Sequence, residues 1–313
     1  MAENLTSHRP GLAVLLKLSA IFLFTIMSAL IKATADDVPP GEAVFFRSFF
    51  AIPVILIWLI AQGQLRQGLL TSNPMGHFWR GLLGTCAMGL TFAGLGLLPL
   101  PEVTAIGYAA PIFTVILAAV MLGETIRMIR IFAVLVGLVG VLIMIWPRLG
   151  GGPGLEDGAT LGAILILLST LARAFVQIHI RQMVQTERIA AIVFYFSAFA
   201  SALSLLTLPF GWTLPGADVI ALMILSGVIG GVAQILVTSS YRFSPASMLA
   251  PYDYASMIFA IIIGYVWFGE LPTTVMLIGA ALVISGNILV IWREHQLGLE
   301  RARARSVTDH KSS

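Results

Sequence analysis

The 313-residue chain is 58% hydrophobic and only 11% charged, with a net charge of +3, against roughly 25% charged residues in soluble domains. A soluble fold of this length cannot hide so much apolar surface, because a single core stops growing near this size, so lipid is the expected solvent for most of it. The single cysteine, Cys86, excludes an internal disulfide or a thiolate cluster, and the basic residues sit in short connections, which argues against a nucleic-acid face.

Ten apolar runs are long enough to cross the hydrocarbon as helices, near 12–33, 43–61, 78–98, 102–122, 130–146, 159–179, 190–209, 218–238, 246–268 and 273–292. The first follows Arg9 and precedes Ala33-Thr34-Ala35, which resembles a leader cleavage site. Its apolar stretch, Gly11 to Ile31, is longer than a leader's and is interrupted by Lys17, so it reads as a retained span. Pro39-Pro40-Gly41, Pro99-Leu100-Pro101, the Gly150–Gly154 stretch and Pro215-Gly216 punctuate the runs. Outside the spans, thirteen Lys or Arg residues, from Arg9 through Arg80 and Arg242 to Lys311, fall on one side together with both termini; the other side holds only Arg148. The expected placement is multi-pass in a bacterial inner membrane with both termini cytoplasmic. The basic segment 294–313 reads as a solvated topogenic tail.

Offsetting the sequence by 146 residues aligns 81–146 with 227–292 without a gap, pairing Gly81 with Gly227, Pro99 with Pro245, Tyr108 with Tyr254, Glu124 with Glu270 and Trp146 with Trp292. About 15 positions are identical where composition alone would give roughly six. A slightly larger shift pairs 43–61 with 191–209. The chain therefore divides into two five-span repeats, 11–147 and 159–293. Five is odd, so the copies must lie in opposite orientation, and the fold class is all-α: ten transmembrane helices as two inverted five-helix repeats. Inverted repeats characterise alternating-access carriers, whose site lies near the midplane between the repeats.

Phe45-Phe46-Arg47, Arg80-Gly81-Leu82-Leu83-Gly84, Ala110-Pro111-Ile112-Phe113 with Leu122-Gly123-Glu124, and Ala250-Pro251-Tyr252 with Phe268-Gly269-Glu270 together resemble the EamA-type drug/metabolite transporter superfamily over nearly the whole chain. Glu42 through Phe50, Arg80-Gly81 and 250–254 are most similar to bacterial carriers that take up riboflavin or S-adenosylmethionine. The resemblance implies a basic residue where this chain has Asp253 if the solute were S-adenosylmethionine, so riboflavin uptake is the favoured expectation; S-adenosylmethionine, an amino acid or another metabolite, taken up or exported, is the alternative.

Charges inside spans are costly and suggest function. Arg47 reads either as a packing residue or as a substrate or gate contact. Arg173 and Asp253, at similar depth, are expected to face each other as an ion pair near the inner gate. Pro111 and Pro251 remove helix hydrogen bonds and free carbonyls for a polar solute. Tyr108, Tyr195, Tyr252, Tyr254, Gln177 and Gln234 could supply aromatic faces and hydrogen bonds. Glu124 and Glu270 read as helix-terminus charges, and Gly81, Gly84, Gly137, Gly140, Gly227 and Gly230 as sites of close helix approach.

No cofactor or metal site is expected; the five histidines show no metal spacing. There is no P-loop for an ATP-driven pump, and neither His-Glu-x-x-His nor Gly-x-Ser-x-Gly for an intramembrane enzyme. A channel usually needs rings of polar groups. The partners expected are a small-molecule solute and the lipid bilayer, with no nucleic acid; a homodimer is left open.

Overall fold

The computed structural model describes residues 10–110, 112–114, 116–117, 128–149, 158–183, 186–243, 249–286 and 288–289. Its helices are α1 (Pro10–Ala33), α2 (Pro40–Phe49), α3 (Ala51–Ala61), the one-turn α4 (Leu65–Gly68), α5 (Pro74–Leu95), α6 (Leu100–Gly107), α7 (Met128–Leu149), α8 (Ala159–Met183), α9 (Ile189–Ser204), α10 (Ala217–Phe243) and α11 (Ala255–Phe268). The apolar helix α12 follows at Thr274–Gly286. Among the described residues, five stretches, Gly11–Ala33, Pro40–Ala61, Ala159–Ile180, Ile189–Phe210 and Ala217–Ser240, are long and apolar enough to cross a bilayer.

Local chemistry sets several boundaries. Pro40 and Pro74 open their helices, where a missing N–H costs nothing, and the Asn73 side chain accepts a 2.9 Å hydrogen bond from the Gly76 amide. This cap starts α5 earlier than hydropathy suggested. Pro53 offers no N–H to the Phe49 carbonyl, and the second span divides at Phe50 into α2 and α3. α11 ends at Gly269 in the left-handed conformation (φ 67°), with the Glu270 amide returning to the Gly264 carbonyl at 3.0 Å. That turn fixes where Glu270 points.

Contacts between chain ends of helices establish how they are threaded. Call the face where α1 begins the near face and the face where it ends the far face. Lys32, closing α1, meets Leu98 after α5, and Glu270 after α11. Gly158, before α8, sits against Leu97, and Thr213, after α9, binds Glu42 and Asp37. At the near face, Glu187 after α8 meets Ser72 and Asn73 before α5. α1 thus runs near-to-far and α8 far-to-near, so the repeats are inverted.

The packing has the same two-fold logic. α1 packs along α10, and its repeat counterpart α8 packs along α5. α2 and α3 pack on α9, and α6 packs on α11, each pair joining equivalent spans across the pseudo-two-fold axis. Close approach needs glycine at Gly227, where a Cβ would lie 2.7 Å from the Phe46 carbonyl oxygen of α2. α1 also packs on α5, with Gly96 against Ala35 at the far face.

Two spans depart from the continuous helices expected at 102–122 and 246–268. α6 stops at Gly107, and the Tyr108 and Ala109 amides turn back to carbonyls only three residues earlier. The ninth span passes from helical Leu249 into a 3-10 turn, Ala250–Tyr254, and becomes α-helical again at Ala255. Tyr108 and Tyr254, the repeat-equivalent tyrosines, mark both changes. Pro251 sits in the first turn of the second; Pro111 lies outside the described residues, as does Glu124.

Candidate functional site

The two irregular spans meet each other. The Tyr108 hydroxyl lies 2.7 Å from Ser256 Oγ and donates to the Tyr254 carbonyl at 3.3 Å, and the two tyrosine rings stand edge to face at 5.2 Å. Ser256 in turn donates to the Asp253 carbonyl at 2.6 Å. A 3-10 turn and a helix stop leave backbone groups without regular partners, and here side chains and the facing span take them up. This is the geometry in which a carrier places its solute: broken helices on the axis relating the repeats.

Asp253 does not pair with Arg173, as the sequence suggested. Its Oδ1 lies 2.8 Å from Lys17 Nζ of α1. The reason is rotational: α1 packs on α11 and on the turn that carries Asp253, whereas α8 packs on α5 and α6. Arg173 instead donates to Thr170 Oγ1 at 3.1 Å and lies 3.3 Å from where a Cβ at Gly107 would stand. Gly107 is the repeat counterpart of Asp253, so Arg173 stands beside the position where the first repeat lacks that carboxylate. The Lys17–Asp253 pair is lopsided, with side chains 5% and 52% exposed, so a buried ammonium holds a half-exposed carboxylate.

The other expected residues divide. Tyr252 is exposed beside Asp253, and Gln177 is exposed one turn past Arg173. Tyr195 lies elsewhere: its hydroxyl donates to the Leu69 carbonyl at 3.0 Å and its ring packs on His77. Gln234 lines a mainly apolar groove with Ile55, Trp58, Ile189 and Val193. Arg47 is buried in α2, over Phe196.

Two further polar clusters brace the faces. At the far face, Lys32 Nζ lies 2.9 Å from Glu270 Oε1 and donates to the Leu98 carbonyl at 2.7 Å, while Glu270 Oε2 accepts from the Leu100 amide at 2.8 Å. Glu270 therefore serves a helix start, as its terminal position suggested, but the helix is α6 of the other repeat. At the near face, Glu187 accepts 2.8 Å hydrogen bonds from the Ser72 amide, the Ser72 hydroxyl and the Asn73 amide, and lies 3.2 Å from His77 Nε2. Burial pushes the Glu187 carboxyl up, but Ser72, His77 and Thr71 outweigh it and hold it down at about 2. Sequence reading missed Lys17 as a partner, seeing only an interruption, and counted Arg80 among connection charges although it lies inside α5. The Arg80-Gly81-x-x-Gly84 run was its available signal.

The family model for EamA-like transporters matches residues 11–146 and again 160–292. The chain belongs to the EamA-like transporter family. It is a multi-pass helical membrane protein of two repeats, and a transporter. Among curated relatives, the S-adenosylmethionine uptake transporter of Rickettsia bellii is 27% identical, covering 89% of this chain and 96% of the relative. That of Rickettsia prowazekii is 28% identical, covering 81% and 83%. The pseudopaline exporter CntI of Pseudomonas aeruginosa is 28% identical, covering 89% and 93%. A solved crystal structure superposes with a TM-score of 0.63 over 92% of this chain and 99% of its own, at 20% identity, which speaks for the fold alone.

Proposed function

We propose that this EamA-like transporter takes up S-adenosylmethionine, or a solute of that class, across a bacterial inner membrane by alternating access, with the near face and both termini cytoplasmic. The single observation that carries the reading is the junction of the two broken spans at Tyr108 and Tyr254, with the half-open Asp253 carboxylate beside it. A carboxylate suits a sulfonium or ammonium cation, and Tyr252, Tyr254 and Tyr108 offer ring faces for a flat base. The lean toward riboflavin rested on the lack of a basic residue at position 253. Lys17 brings an ammonium to the same place from α1, which removes that reason, and the relatives described above give riboflavin no support. The excess of Lys and Arg on the near-face connections supports the orientation.

Radiolabelled S-adenosylmethionine and riboflavin should be offered to right-side-out and inverted vesicles containing the protein. Saturable S-adenosylmethionine entry into right-side-out vesicles is expected. It should drop about ten-fold or more in Asp253→Asn at unchanged protein abundance. Riboflavin entry without S-adenosylmethionine entry would sink the reading. Accumulation confined to inverted vesicles would reverse the direction to export, which the similarity to an exporter makes worth measuring.

A further inference from the structure

The arginines of α2 and α5 point into the same small region. Arg80 Cζ lies 4.0 Å from the Phe196 ring centroid, and Arg47 Cζ lies 5.8 Å from the same centroid. Arg47 enters from the far face and Arg80 from the near face, each roughly 10 Å along its helix at 1.5 Å per residue. Their guanidiniums thus converge within the hydrocarbon depth rather than at either headgroup level. Arg47 is 6% exposed. The Nε of Arg47 and the Nε and Nη1 of Arg80 are buried without a hydrogen-bond partner, and among the described residues no carboxylate lies within ion-pair distance of either arginine. Phe196 offers its ring face to both cations but no acceptor for their N–H groups.

Two features show that the fold is shaped around these charges without needing them. A Cβ at Gly84 would collide with the Arg80 guanidinium and with Phe196, so backbone has been cleared for that side chain; one at Gly230 would collide with Met27 Sδ at 2.8 Å and only touch Arg47 Nε, at 3.4 Å. In the second repeat, Arg47 corresponds to Tyr195 and Arg80 to Ser226. Tyr195 donates to the Leu69 carbonyl, and Ser226 donates to the Met223 carbonyl at 2.7 Å. The same five-span unit is therefore built in one copy with satisfied polar groups and in the other with buried cations. Like charges left unpaired in low dielectric require an anion.

We infer that Arg47, Arg80 and Phe196 form the subsite that receives the carboxylate of the transported solute. This rests on the carrier reading above and adds the chemical group recognised. Lipid phosphates stay at headgroup level, so the anion that reaches this depth is a solute's. The planar guanidinium fork matches a carboxylate's two oxygens.

The test uses the full chain in lipid nanodiscs, with S-adenosylmethionine and its decarboxylated analogue as probes and thermal unfolding as a second readout. Arg47→Met and Arg80→Met should melt at or above the parent temperature, because an unpaired buried charge has gone. Their affinity for S-adenosylmethionine should fall about ten-fold or more, while affinity for the decarboxylated analogue stays within about two-fold. A lower melting temperature in both variants would make the arginines structural and overturn the inference, as would an unchanged ratio of the two affinities. If the parent protein binds neither probe, the S-adenosylmethionine reading falls on its own. Phe196→Glu and Phe196→Gln then decide the anion site: the glutamate variant, with a carboxylate between the guanidiniums, should melt higher. Equal or lower melting would overturn the site itself.

Discussion

Two lysines on α1 and two arginines on α2 and α5 lie inside the same bundle and live under opposite conditions. Lys17 and Lys32 each reach across to a carboxylate of the second repeat, Asp253 and Glu270. Arg47 and Arg80 reach no carboxylate among the described residues and crowd one aromatic ring. Paired cations hold the repeats together, and the unpaired ones have no carboxylate among the described residues, which is why an anion is proposed for them. The distinction separates bracing from recognition in a molecule whose intramembrane charges all look alike in sequence.

The largest effect should come from the far-face brace. Lys32 and Glu270 are only 14% and 16% exposed, so Lys32→Met leaves a largely buried carboxylate without its cation. It should lower stability by about 3 kcal/mol, with much of the loss recovered in the Lys32→Met, Glu270→Met double variant. An unchanged melting temperature in the single variant would erase the contrast between lysines and arginines.

Glu187→Gln should cost less, about 2 kcal/mol, since it weakens several hydrogen bonds to a charge, and its penalty should depend on pH. A carboxyl lowered from 4.5 to about 2 stabilises the fold fully above its unfolded value and loses that contribution as pH falls through the folded one. Urea titrations of parent and variant should therefore converge between pH about 4.5 and about 2; a pH-independent gap would assign the effect to packing.

The smallest effect should be at Ser226, the counterpart of Arg80. Ser226→Ala should change stability by no more than about 0.5 kcal/mol and leave uptake intact. A large loss of uptake there would show that both repeats share the recognition role, and would sharpen the asymmetry into a different form.

Much of the architecture was legible along the chain. The duplicated Gly-rich span starts, the repeated Gly-Glu pairs and the Tyr108/Tyr254 equivalence gave the repeat, and an odd span count gave its inversion. The contact between Tyr108 and Tyr254 follows from the same repeat, since equivalent residues on an axis relating two copies tend to meet. The Arg173–Asp253 pairing failed because similar depth says nothing about which side of a seam a helix occupies. Arg80 was missed because, only six residues into α5, it was counted with the topogenic charges near the span's end.

The sequence by itself determined that the chain is a multi-pass helical membrane protein, that its unit occurs twice in opposite senses and to which family it belongs. These are properties of hydropathy and self-similarity, which are additive along the chain. Only the tertiary structure decided which charge meets which carboxylate and which remains unmet. Those outcomes depend on helix rotation and on contacts between distant repeats, and a turn of one residue, about 100° around a helix axis, changes the partner altogether.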